Sequence, residues 1–130
     1  MCIRDRLYAI LCYGDEKKVR SLTKQQDDAL MSKLTVVHEK LIAEGKLGPH
    51  FRLMTTPHAK TVRDMSDDVL DGPFAETKEQ LLGLYVVDCD SLDEAVETAH
   101  VLEVERKRAN VAGALEVRPL LSYFGGKRID

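Results

Sequence analysis

Two stretches of the chain are apolar at nearly every position, and the remainder sorts into alternating or helical patterns. Residues 7–13 (LYAILCY) and 81–87 (LLGLYVV) are continuous apolar runs, short enough for strands and buried on both faces. The GDEKK that follows the first run marks a turn. From Thr23 onward, Leu30, Leu34, Val37, Leu41 and Ile42 recur with a period near that of an α-helix. Gly45 and Gly48-Pro49 stop that helix. HFRLMTT then suits a half-buried strand. AKTVRDMSDDVLDGPF reads as two short polar strands around a turn near Ser66 and Asp67. Ser91 predicts an N-cap, with Glu94 three residues on completing a capping box. Leu92, Ala95, Val96, Ala99 and Leu102 would line the buried face of the helix that follows. ALEVRPLL alternates Leu115 and Val117 with Glu116 and Arg118, the pattern of a closing strand.

The order β-α-β-hairpin-β-α-β predicts an α+β fold, a ferredoxin-like split βαβ sandwich with an inserted hairpin. In that topology the two apolar runs are the central strands. Pro119 in the last strand agrees, because proline is tolerated in sheets at edges. Helices cover one face of such a sheet, so central strands apolar on both faces need a second cover. A second copy stacked sheet to sheet would supply it, giving a homodimeric α+β barrel. The alternative is that the hairpin folds over the same face.

Composition narrows the class further. The chain has 130 residues, enough for one domain with a real core, which the pattern places at residues 7–121. Residues 1–6 (MCIRDR) are charged and unpatterned; back-translated they match a transposase end sequence used in DNA library preparation, and they are read as a non-native N-terminal artefact. Residues 122–130 are expected to form a flexible tail. A net charge of −3 argues against nucleic acid as a partner, and no apolar run is long enough to span a membrane. Cys2, Cys12 and Cys89 have neither paired nor metal-type spacing. A reduced, cytoplasmic protein is the expectation.

The stretch DGPFAETKE, just before the second apolar run, holds most of the candidate chemistry. Asp71-Gly72-Pro73 is a constrained turn that would hold Asp71 in one position, and Phe74 would then plug the core. Glu76, Lys78 and Glu79 follow at once, and carboxylates fixed beside a lysine suit acid–base work. In this reading Lys78 neutralises Asp71 or Glu76 until a ligand arrives. A solvated charged stretch after a tight turn explains the same residues without chemistry.

DGPFAETKEQLLGLYVVDCDSLDEA closely resembles the hallmark of the DGPF family within the YCII-related superfamily. AILCYGDE, TVR and EVRPLL resemble that family's opening strand, middle hairpin and closing strand, so the similarity runs from Leu7 to Leu121. The resemblance implies a dimeric α+β barrel with a small cavity near the turn, in a family largely of unknown function. Some YCII relatives are lyases or carry a His–Asp pair proposed for acid–base chemistry. Here the position aligned with that histidine is Val36, and His38 lies two residues on, beside the face set by Leu34, Val37 and Leu41. Family members also sit beside genes for extracytoplasmic-function sigma factors, which implies a regulatory alternative.

Further candidates complete the set. Tyr13 ends the first central strand, where its hydroxyl would meet the cavity or reach solvent. Arg63 on the hairpin suits an anionic substrate, and His58 in a loop suits a proton shuttle. Arg118 is expected to be structural. His50, His58 and His100 lack metal spacing, no phosphate loop or nucleophile elbow occurs, and no metal or cofactor is expected. The catalytic candidates are therefore Asp71, Glu76, Lys78 and His58; the substrate-binding candidates are Tyr13, Arg63 and Glu79. A small-molecule lyase or isomerase is the first expectation, and a non-catalytic ligand-binding or regulatory module the second.

Overall fold

The computed structural model describes residues 6–63 and 68–126. Strand β1 (Leu7–Gly14) leads through a short helix α1 (Glu16–Arg20) into the long helix α2 (Lys24–Ala43). Strand β2 (Leu47–Arg52), a 3-10 turn (Thr56–His58) and the hairpin strands β3 (Lys60–Val62) and β4 (Val69–Asp71) follow. Strand β5 (Gln80–Asp88), helix α3 (Leu92–Arg108) and strand β6 (Ala114–Pro119) come last. The hairpin turn expected near Ser66 and Asp67 lies outside the described residues.

Four strands form one antiparallel sheet in the order β2-β5-β1-β6. The apolar runs are its central pair, β5 and β1, and Pro119 sits on the edge strand β6. This is the ferredoxin-like α+β arrangement, with β3 and β4 as a separate two-stranded insert. Pro49 occupies the opposite edge, in β2, where the register shifts between Leu47 and His50. That strand begins earlier than the sequence pattern predicts. Gly45, at φ 73, already ends α2, and the N–H groups of Gly45 and Lys46 close back onto Ile42 and Leu41.

The helix starts follow from their caps. Thr23 and Gln26 form a reciprocal capping box at α2, with contacts of 3.1 and 2.9 Å. At α3 the predicted box forms by half: the Ser91 hydroxyl accepts from Glu94 N–H at 3.1 Å, but Glu94 accepts from Asp90 N–H instead of Ser91. Helix α1 stands where the sequence predicts only a turn, capped by the Asp15 carboxylate on Lys17 N–H at 2.9 Å.

Alternation places Tyr8, Ile10, Cys12, Tyr85, Val87 and Cys89 on one sheet face, packed against Leu41, Ala95, Ala99 and Leu102 of the helices. Leu92 and Val96, expected in that core, are instead 45% and 38% exposed. The small Ala95 and Ala99 let α3 close onto the sheet, and the two larger side chains fall into an open groove beside Leu115 and Val117. Ile42 likewise ends up on the outer side of α2. Arg6, assigned by sequence to the N-terminal artefact, bridges Asp88 and Asp90 at 3.2 and 2.7 Å.

The other sheet face carries Ala9 and Leu11 of β1 against Val86 and Leu84 of β5, with Phe51 of β2 beside Leu84. No helix covers it. The β3–β4 hairpin packs chiefly on itself. Phe51 remains 50% exposed there.

Candidate functional site

The site is organised around Glu16, whose carboxylate is almost fully buried just beyond the end of β1. It accepts the Thr56 N–H at 2.8 Å and the Thr56 hydroxyl at 2.7 Å. The Glu16 N–H in turn donates to the Gln80 side-chain oxygen at 3.0 Å, and the Gln80 amide donates to the Thr77 carbonyl. One buried acid thus ties α1, the 3-10 turn and the start of β5 to each other. A buried carboxylate is tolerated when its acceptors are filled, and here both oxygens are.

Around that hub opens a cavity of about 610 Å³. Tyr13, His58 and Glu79 contribute its titratable wall, and Leu53, Met54, Pro73, Phe74 and Leu81 much of its apolar wall. Each wall has a local cause. The bulge between Cys12 and Tyr13 of β1 pairs Tyr13 with Leu81, bringing both to the cavity. His58 closes the 3-10 turn, its Nδ1 3.3 Å from the Thr55 hydroxyl. Gly72 adopts φ 91, and its N–H donates to the Ala59 carbonyl at 2.7 Å while its carbonyl accepts the Thr61 hydroxyl at 2.8 Å. These bonds fold the 71–74 turn back onto the hairpin entrance and set Pro73 and Phe74 against the cavity. Phe74 does not plug the core as the sequence suggested; it is 77% exposed, because the turn carries it to the cavity side of the sheet and away from the helices.

The remaining candidates separate from this wall. Asp71 pairs with Lys60, its cross-strand partner, and both side chains are largely exposed. Lys60, not Lys78, therefore balances Asp71. Glu76 and Lys78 are exposed on the segment whose Ala75, Thr77 and Glu79 line the cavity. Arg63 is exposed beyond the end of β3, outside the lining residues. Glu16, Thr56 and Gln80 escape a sequence reading, because a glutamate after a strand looks like any charged turn residue until its distant partners are known.

The arrangement offers an open, largely apolar cleft with a phenol, an imidazole and a carboxylate in its wall. Such a wall can orient a small molecule by a few polar contacts, and the imidazole and carboxylate are the groups able to exchange protons there.

Comparison with known proteins gives the family. The YCII-related domain family matches residues 6–121. An uncharacterized protein of Rhizobium meliloti (strain 1021) is 48% identical over 124 residues, covering 93% of this chain and 97% of that protein. The chain belongs to the YCII-related domain family.

Proposed function

We propose that this domain, a DGPF-type member of its family, binds a small, largely apolar molecule carrying one hydrogen-bonding group in the pocket beside the 71–74 turn. The observation that carries the reading is the single wall formed by Tyr13, His58 and Glu79 amid apolar side chains. Asp71 serves this site by fixing the hairpin through Lys60, and Glu76 and Lys78 act on the charge of its approach.

A second reading, a lyase or isomerase, rests on the same wall. His58 takes the proton, with Glu79 or Tyr13 returning it, and Asp71, Glu76 and Lys78 supporting from outside. The regulatory alternative, a module working with an extracytoplasmic-function sigma factor, uses the pocket as a sensor without turnover. A thermal-shift screen against metabolites tests binding, since a ligand at a hundred times its dissociation constant adds about 2.7 kcal/mol of stability. Deuterium exchange into any hit, incubated in heavy water with the protein and with His58→Gln, separates the readings. Exchange lost in the variant supports the enzyme, and no exchange supports the binding module.

The open sheet face supports a homodimer. Leu11, Leu84, Val86 and the half-exposed Phe51 give an apolar surface that a second copy of the same chain covers by stacking sheet on sheet.

A further inference from the structure

The helix-covered face of the sheet carries a second polar cluster. His38 of α2 places Nε2 3.0 Å from the Tyr85 hydroxyl of β5, and Arg106 of α3 places a guanidinium nitrogen 3.4 Å from the same oxygen. His50 of β2 packs edge-on against His38 at 4.9 Å and stacks on Tyr85 at 5.7 Å between ring centroids. A cavity of about 320 Å³ opens among these side chains, with Met31 and Leu82 as apolar wall. It lies apart from the pocket at the 71–74 turn: Cys12 and Tyr85 face one side of the sheet, Tyr13 and Leu81 the other.

The protons in this cluster can be assigned by exclusion. A guanidinium only donates, so Arg106 N–H donates to the Tyr85 oxygen. The phenol O–H is then free to donate to His38 Nε2, leaving the His38 ring proton on Nδ1. The Gly48 carbonyl only accepts, so His50 Nδ1 donates to it at 2.9 Å. Burial first, then the neighbouring His50 and Arg106, push His38 down to about 4, so its ring is neutral at pH 7.

Charge in the cavity lining is one-sided. Among the described residues its lining holds Arg52 and Arg106 but no carboxylate. Each arginine has an acid beside it: Asp27 pairs with Arg52 at 3.0 Å, and Glu103 lies 3.9 Å from Arg106, near enough to act on Tyr85 and Cys12. Cys12, pushed up to about 11 by burial, is a neutral thiol.

We infer that this second cavity binds a small monocarboxylate with an apolar body, its carboxylate on the Arg106 guanidinium beside the His38–Tyr85–His50 cluster, its body against Met31 and Leu82. The ligand's charge also offsets the repulsion that His50 and Arg106 exert on His38, so binding draws a proton toward the His38 ring.

The probe is benzoate, with neutral benzamide as its control, followed by NMR of the histidine ring C–H signals in the full chain. Benzoate shifts the His38 and His50 signals, raises the titration midpoint of His38, and leaves His58 in the other pocket unmoved. Benzamide shifts none of them. Arg106→Met weakens benzoate by about tenfold or more. Should that variant fail to fold, Met31 gives the second test, with Met31→Ala weakening benzoate while His58→Gln does not. Unmoved His38 and His50 signals at about 10 mM benzoate overturn the inference. So does equal binding of benzamide, or a response confined to His58.

Discussion

The Glu16 carboxylate holds both the N–H and the hydroxyl of Thr56, forty residues further along the chain, at 2.8 and 2.7 Å. This is the join between the sheet and the wall of the 71–74 pocket. Glu16→Ala leaves the Thr56 donors without their acceptor and lowers the unfolding free energy by about 2–4 kcal/mol. Glu16→Gln keeps an acceptor and costs about half as much. Urea unfolding of the two variants measures both.

The two neighbours Asp71 and Gly72 should respond very differently to mutation. Asp71→Asn breaks an exposed ion pair and changes stability by no more than about 1 kcal/mol. Gly72→Ala forces a Cβ onto a residue at φ 91 and costs about 1–2 kcal/mol, with distortion of the cavity wall. Thermal unfolding of each variant gives the comparison.

How far the sequence leads can be seen in particular elements. Strands β1 and β5 are legible because their apolar runs are unbroken, and β6 because Leu115 and Val117 alternate with charges. Helix α1 is not, since a five-residue charged helix has no buried periodic face to show. Within the site, residues 71–79 announce themselves by their local turn chemistry. Glu16 with Thr56, and His38 with Tyr85 and Arg106, are brought together only by folding, and no spacing rule joins residues so far apart.

Stability should fall on the acid side because of His38. Its folded value is held down at about 4 against an ordinary 6.5, so the unfolded chain binds the proton first. Unfolding free energy therefore drops as pH falls from about 6.5 to about 4 and levels off below. Discounted for partial exposure, the drop is about 1–2 kcal/mol. His38→Gln removes this part of the slope, as denaturant titrations at several pH values would record.

The open sheet face predicts an association that charge can break. Phe51→Glu places a carboxylate on the proposed contact without emptying the core, because Phe51 is half exposed in one chain. Sedimentation of the native protein should give a dimer and of the variant a monomer, with similar far-ultraviolet circular dichroism.

Amide NMR mapping of the full chain against a metabolite mixture tests the central claim most directly. The account predicts shifts clustered at Tyr13, Thr56, His58, Phe74 and Glu79, the residues that enclose the 71–74 pocket. Ligands that bind while leaving those amides unmoved would contradict it.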